Sequence, residues 1–234
     1  MGKAAICPAV VINRAVPGSG KTEMTHRVAK ILREAGLIVG IHSTDDYFMR
    51  GNRYVYDGNK LDVYHQKNLE NFVGDLRRRL DCVICDNTNL LPWQTEPYTG
   101  AAREHGYMVI FINYTPRELH KHVSVQKVTP DNPGAHDVPE DTIARLIEDF
   151  HIYNALLDKS SHIDDNLHFA YRWDSEHCLR VRTDRPTKHF DSDYVITVSP
   201  EEYHGAEREI SASIIERVIP DNTDCEKNYR AASP

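Results

Sequence analysis

The sequence contains no long apolar segment, no excess of positive charge and no regularly spaced set of cysteines. No apolar run approaches the roughly 20 residues of a membrane-spanning helix, and the first residues lack the apolar core of a signal peptide. The formal net charge of −7 gives no general attraction to nucleic acid, so a nucleic-acid site would have to be a local basic groove. Five scattered cysteines indicate reduced thiols and a cytoplasmic, intracellular protein without a membrane partner.

A glycine-rich turn stands between an apolar run at residues 9–12 and a helical pattern. Gly18 and Gly20 let the backbone bend tightly and turn its N–H groups toward phosphate oxygens, and the helix N-terminus adds positive potential. In such a P-loop, Lys21 reaches the β- and γ-phosphates and the Thr22 hydroxyl binds Mg²⁺. The predicted nucleotide-binding residues are Pro17, Gly18, Ser19, Gly20, Lys21 and Thr22.

Acidic residues follow two of the predicted strands. Asp45 and Asp46 come after the apolar run 37–41, and Asp86 comes after the apolar run 83–85. In a doubly wound sheet, residues just beyond the carboxyl ends of the strands face the ligand crevice. The acidic pair would take a proton from an acceptor hydroxyl or order the metal, and a helix N-cap is the plainer alternative. Asp86 has the Walker-B position, which holds Mg²⁺ through water.

Two less regular segments are candidates for substrate contact. Residues 122–137 show no helical period and contain Pro130, Pro133 and Gly134, which predicts either an active-site lid or a surface loop. Residues 50–60 are polar and aromatic, which predicts a loop that stacks bases on tyrosine or a surface hairpin.

The last part of the chain differs in pattern from the first. Residues 167–173 and 178–183 predict a hairpin, residues 194–198 a strand, and a final helix follows. We therefore divide the chain into a domain at residues 1–158, with the lid at about 122–138, a small α+β extension at 159–219 and a loose tail at 220–234.

The motifs at residues 15–22, 43–47 and 86–89, followed by the lid, together resemble the kinase domain of phage polynucleotide kinase and its P-loop relatives. The resemblance covers about residues 10–157. It implies an α/β fold of the P-loop NTPase type, a doubly wound parallel sheet with a helical lid. It also implies transfer of the γ-phosphoryl group of ATP, with Mg²⁺, to a hydroxyl, commonly the 5′-OH of DNA or RNA. Asp45 would be the general base, and Asp86 would serve the acceptor and metal side. A phage-encoded enzyme of this kind would act in the host cytoplasm.

Three positions depart from that family. Ala15 replaces the first glycine of the P-loop, and Phe48 replaces an arginine that holds the acceptor nucleotide. The lid offers Lys127 where the family has an arginine for the transferring phosphate. We assign Lys127 to catalysis, and the residues assigned to the acceptor are Asp46, Phe48, Arg50 and Asn89.

The sequence alone does not identify the acceptor of the phosphoryl group. The alternatives to a 5′-OH end are the hydroxymethyl group of a modified base in phage DNA, such as 5-hydroxymethyluracil, and a small molecule or nucleotide. A nucleotide-dependent switch without an acceptor is the remaining alternative.

Overall fold

The computed structural model describes residues 6–160, 170–173, 179–182, 194–199 and 205–219. The strands are β1 Ala9–Arg14, β2 Val39–His42, β3 Met49–Arg50, β4 Arg53–Tyr54, β5 Cys82–Cys85, β6 Met108–Tyr114, β7 Ala170–Trp173, β8 Leu179–Arg182 and β9 Tyr194–Val198. The α-helices are α1 Lys21–Glu34, α2 Leu61–Arg77, α3 Pro92–Glu104, α4 Leu119–Gln126, α5 Glu140–Ser160 and α6 Glu207–Val218. Two short 3₁₀ helices span Thr44–Phe48 and Gly58–Lys60.

Five strands form a parallel sheet in the order β2-β5-β1-β6-β9. Every residue of β1 is buried, as expected for a central strand that is covered on both faces. Val11 packs toward α1 and α6, whereas Val10 and Ile12 pack toward α2 and α3. Helices therefore cover both faces, and the predicted doubly wound parallel sheet is confirmed.

The strand register brings the polar strand ends together. Ile12 pairs with Cys85 of β5 on one side and with Phe111 of β6 on the other. His42 pairs with Cys85, so β2, β5 and β1 finish at nearly the same level. The segments that follow these three strands consequently share one edge of the sheet.

The division of the chain at residue 158 stays a prediction, but the last two elements of the predicted extension at 159–219 pack with the main sheet. β9 pairs in parallel with β6 and completes the main sheet, from Ile110 opposite Tyr194 to Tyr114 opposite Val198. Helix α6 packs on α1 in the same apolar cluster. The predicted hairpin is confirmed as the antiparallel pair β7–β8. The predicted tail at residues 220–234 lies outside the described residues.

The first part of the lid segment is helical. Helix α4 continues to Gln126 and so includes the first five residues of the stretch that the sequence pattern marks as aperiodic. His122 is its buried residue, and most of its other side chains face outward. An apolar period does not develop on so short and exposed a helix, which explains the difference. Turns and an isolated bridge between Thr129 and Asn132 follow.

Two further expectations concern cysteines and membranes. Cys7 is disulfide-bonded, so the expectation of reduced thiols is wrong for this residue, whereas Cys82 and Cys85 are free and buried. Burial raises the pKa of both free thiols to about 12, which makes them unreactive. None of the helices in the described part of the chain is both long and apolar enough to cross a membrane.

Candidate functional site

The P-loop has the backbone conformation that its glycines predict. Gly18 and Gly20 have φ values of 81° and 76°, in the left-handed region that favours glycine. Ser19 closes the turn, because its hydroxyl donates to the Val16 carbonyl at 2.6 Å. No side chain caps the start of α1, so its first backbone N–H groups stay available to an anion.

Lys21 and Asp86 form the centre of the site. Lys21 Nζ lies 3.8 Å from Asp86 Oδ1 and donates to the Thr22 hydroxyl at 3.3 Å. Asp86 is 1% exposed at the end of β5, and its Oδ1 accepts hydrogen bonds from Asn13 Nδ2 at 2.8 Å and Thr25 Oγ1 at 3.2 Å. The strand end thus places a charged lysine and a carboxylate next to the P-loop.

These residues fit Mg²⁺ bound together with phosphate. Among the described residues, nothing hydrogen-bonds to the buried Asp86 Oδ2, which leaves a hard anionic oxygen free to hold a metal-bound water. The same part of the chain contains no group of three or more histidine, cysteine, aspartate or glutamate side chains that could hold a metal by themselves. A Mg²⁺ ion here would therefore rely on Thr22, Asp86 and phosphate oxygens, as P-loop sites do.

The acidic pair lies on the 3₁₀ helix that follows β2. This helix is tied to β5 because the Thr44 N–H donates to Asn87 Oδ1 at 2.9 Å. Partial burial raises the pKa of Asp46, and the negative charges of Asp86 and Asp45 raise it further. Asp45 Oδ1 accepts a hydrogen bond from the Tyr54 hydroxyl at 3.0 Å. The structure therefore brings Asp45, Asp46, Asp86 and Lys21 to one site, as the sequence predicts.

His136, from the lid segment, reaches the same site and is missing from the sequence prediction. Its Nδ1 lies 3.8 Å from Asp45 Oδ2, and its ring stacks on Tyr54 with the centroids 3.8 Å apart and the planes at 16°. Burial lowers the pKa of His136, the Asp45 charge opposes this shift, and the Lys21 charge adds to it. The lack of a helical period in residues 122–137 marks this segment as a candidate for substrate contact. It does not show which of these residues turns its side chain inward.

Two of the predicted acceptor residues, Phe48 and Asn89, are buried with their side chains facing inward, and their acceptor role stays a prediction. Phe48 is 1% exposed and packs against Tyr64 and Tyr56, so it offers no ring face to a base. Asn89 is 2% exposed and has a positive φ of 50°. Its amide nitrogen donates to the Asn13 carbonyl at 2.9 Å and holds the loop after β5.

The other predicted cations lie at the surface. Arg50 is exposed, and its guanidinium donates to the carbonyls of Tyr47 at 3.1 Å and Met49 at 2.9 Å. Lys127 is exposed just after α4. The catalytic role of Lys127 and the acceptor role of Arg50 stay predictions.

Helix α4 is joined directly to the P-loop through His122. Its Nδ1 lies 2.9 Å from the Pro17 carbonyl, and its Nε2 lies 2.9 Å from the backbone nitrogen of Arg117. Since Nε2 must accept from that backbone N–H, the neutral ring carries its hydrogen on Nδ1 and donates it to Pro17. Burial lowers the pKa of His122, which keeps the ring neutral.

A buried arginine supports the strand ends and is also missing from the sequence prediction. Arg14 donates to the carbonyls of Asn89 and Leu90 and to the side-chain oxygens of Asn113 and Asn154, at 3.0 to 3.3 Å. Burial lowers its pKa to about 10, which leaves it charged at neutral pH. The guanidinium thereby ties the loop after β5 to α5.

Comparison with known proteins finds a relative that matches over a small part of its length and solved structures of low sequence identity. NEDD4-binding protein 2 from Homo sapiens is 29% identical over 147 residues, which are 60% of this chain and 8% of that protein. The chain thus spans less than a tenth of the length of this curated relative.

Two similar solved structures are shikimate kinase from Acinetobacter baumannii in complex with shikimate and Kti12 from Chaetomium thermophilum in complex with ADP-AlF3. The first is 15% identical with a TM-score of 0.47, and the match covers 89% of this chain and 91% of that one. The second is 10% identical with a TM-score of 0.49, and the match covers 89% of this chain and 98% of that one.

The sequence pattern of one family covers most of the described core. The AAA_33 family, described as an AAA domain, matches residues 10–152, from the strand before the P-loop to the middle of α5. The matched range includes the P-loop, the acidic pair, Asp86 and the lid segment. The more specific resemblance to polynucleotide kinases stays a prediction. The chain belongs to the AAA_33 family of AAA domains.

Proposed function

We propose that this protein is an ATP- and Mg²⁺-dependent kinase that transfers the γ-phosphoryl group to a hydroxyl of a nucleic-acid acceptor. One observation carries the proposal: Asp46, in the acidic pair after β2, lies close enough to Asp45, Asp86 and Lys21 for their charges to interact. A switch that only binds nucleotide needs the P-loop and a metal ligand but has no use for a proton acceptor.

The residues divide into a phosphate side and an acceptor side. Lys21 and the uncapped N-terminus of α1 bind the phosphates of ATP and neutralise charge that develops on the leaving oxygen. Thr22 and Asp86 would hold Mg²⁺, which would supply further positive charge to the phosphates. Asp45 accepts the proton of the acceptor hydroxyl while that oxygen bonds to the γ-phosphorus and the bond to ADP breaks.

Asp46 is the other candidate for the base. The pKa of Asp46 is raised, and a raised pKa makes a carboxylate a stronger proton acceptor than that of an ordinary aspartate. Asp45→Asn and Asp46→Asn keep the side-chain size and remove the basicity. We expect Asp45→Asn to bind ATP normally and to lose on the order of 10²-fold or more in transfer rate. An active Asp45→Asn together with an inactive Asp46→Asn would reverse the roles.

The acceptor class is inferred from the surface beside the acidic pair. The rings of Tyr47 and Tyr64 pack against each other in a tilted arrangement. Lys67 Nζ lies 5.2 Å from the Tyr47 ring centroid. Tyr56 is 57% exposed, and Arg50, on β3, is exposed as well. Aromatic rings mixed with cations suit an acceptor that carries both a base and a phosphate.

The hydroxymethyl group of a modified base is a second candidate acceptor. The apolar Phe48 stands where a guanidinium would hold the phosphate next to a 5′-OH end, and this ring is buried. Loss of a bidentate, charge-assisted contact would weaken recognition of a free end more than recognition of a flipped base. The buried ring supplies no stacking surface of its own, so the exposed Tyr56 would have to supply it.

Labelled ATP tests the proposal directly. The acceptors would be a 5′-OH oligonucleotide, a 5′-blocked duplex containing 5-hydroxymethyluracil, a nucleoside and a sugar alcohol, each with wild-type protein and with Asp45→Asn. We expect one of the two DNA acceptors to be labelled by the wild type only. Labelling of the small acceptors alone would refute the nucleic-acid assignment, and ATP binding without any labelling would favour the switch.

A further inference from the structure

Three parts of the chain that are distant in sequence meet at the Asp45 carboxylate. The Tyr54 hydroxyl, on β4, donates to Asp45 Oδ1 at 3.0 Å. His136 Nδ1, on the lid segment, lies 3.8 Å from Asp45 Oδ2. The two rings stack on each other, so both carboxylate oxygens are approached by groups that also contact one another.

The lid segment is held against the hairpin by its backbone as well. An added Cβ at Gly134 would lie 3.4 Å from the Asn52 carbonyl oxygen, so the backbone there runs close to the tip of the hairpin β3–β4. Asp137 has a positive φ of 50°, and its N–H donates to the Gln126 carbonyl at 2.8 Å. This turn brings the segment back toward α4 and leaves the His136 ring over Tyr54.

We propose that Tyr54 and His136 are positioning residues for Asp45, so that the base is aligned only while the lid segment lies on the hairpin. This inference rests on the proposed function, in which Asp45 accepts the acceptor proton. Tyr54 fixes one oxygen by donating to it, and the lid-borne ring limits rotation of the carboxylate from the other side. The remaining open edge of the carboxylate then faces the acceptor hydroxyl.

Burial and charge support the donor roles. Burial, the Asp45 charge and the hydrogen bond to Asp45 all raise the pKa of Tyr54, so its hydroxyl stays protonated and donates. The charged groups that act on His136 are Asp45, which favours its protonation, and Lys21, which opposes it. The histidine therefore lies within electrostatic range of both the base and the phosphate-binding lysine.

The first test measures the contact without any enzyme activity. The titration midpoint of His136 is followed by NMR of the ring protons in the wild type and in Asp45→Asn. Removing a neighbouring carboxylate charge should lower the His136 midpoint, because the imidazolium loses its partner. His120 is the internal control, since it is exposed on α4 and faces Glu118 instead. An unchanged His136 midpoint would overturn the proposal.

The second test asks whether the two residues act through Asp45. Tyr54→Phe and His136→Phe both keep an aromatic ring in the stack; the first removes the hydroxyl and the second removes the ring nitrogens. We expect each to lower kcat about tenfold, a part of the 10²–10⁴-fold that a positioned base contributes, with little change in the KM for ATP. In the Asp45→Asn background, the same substitutions should change the residual rate by less than about twofold. His120→Phe is the matched histidine control and should leave kcat unchanged.

The outcomes separate the two proposals. Equal losses in the presence and absence of the Asp45 carboxylate would show that the rings act only through packing, and the positioning role would be overturned. A shifted His136 midpoint in a protein that labels no acceptor would refute the proposed kinase function while leaving the contact between the lid and Asp45 established.

Discussion

The contact between α4 and the P-loop can be tested with two glycines of the same turn. Gly18 and Gly20 have nearly equal φ values, 81° and 76°. An added Cβ at Gly18 would lie 2.7 Å from Val125 Cγ2 and 3.0 Å from the His122 carbonyl oxygen, whereas one at Gly20 meets nothing within 4 Å. Gly18→Ala and Gly20→Ala therefore both place an alanine at a positive φ, but only the Gly18→Ala side chain would clash with α4.

The expected destabilisation follows from those two contributions. An alanine forced into the left-handed region costs roughly 1–2 kcal/mol, so Gly20→Ala should lower the free energy of unfolding by about that amount. Overpacking against a well-packed neighbour adds roughly 1–3 kcal/mol. Gly18→Ala should therefore cost about 2–5 kcal/mol in total.

Urea unfolding of both variants measures the difference. Val125 is 43% exposed, so Val125→Ala should cost little alone and should recover about 1 kcal/mol or more of the Gly18→Ala loss. The carbonyl of His122 stays in place, so recovery should be incomplete. Equal costs for the two glycine variants, or no recovery with Val125→Ala, would refute the packing of α4 on the P-loop.

Three further predictions concern the phosphate site, the buried arginine and pH. Lys21→Ala should lower the rate of phosphoryl transfer by on the order of 10²-fold or more; near wild-type turnover in a labelled-ATP assay would exclude the P-loop assignment. Arg14→Met should lower the free energy of unfolding by about 2–4 kcal/mol, because buried carbonyl and amide oxygens lose their donor; a loss below 1 kcal/mol in urea unfolding would contradict it. Burial lowers the pKa of His122 and His136, so the unfolded chain binds protons that the folded one does not, and stability should fall as the pH drops below about 6.5. His122→Asn should flatten that dependence in urea unfolding curves; a dependence as steep as that of the wild type would rule out His122 as a source.

The parts of the site that could be predicted are those whose position is set by the sheet. Lys21, Asp45 and Asp86 each follow a strand, and parallel strands in register end at one edge. Local patterns of apolar residues therefore suffice to bring these side chains together. The same reasoning gives the helices on both faces, since each shows its own apolar period.

The parts that could not be predicted depend on contacts between distant segments. His136 stacks on a tyrosine 82 positions earlier, and Arg14 bonds to a residue of α5 140 positions later. No local pattern encodes such pairs. β9 was recognised as a strand, but its pairing with β6 depends on a partner that periodicity does not name. The burial of Phe48 follows from its apolar side chain, whereas its place in the motif alone predicts contact with the acceptor.

The first strand and the last helix of the fold meet at one point. The Cys7 N–H donates to the Val218 carbonyl at 2.9 Å, so the backbone enters β1 beside the place where it leaves α6. A fold with adjacent entry and exit can be spliced into a surface loop of another protein without pushing the flanking host residues apart. This geometry makes the domain a suitable module for insertion, and fusion at either side should leave the edge of the sheet that carries Lys21, Asp45 and Asp86 unobstructed.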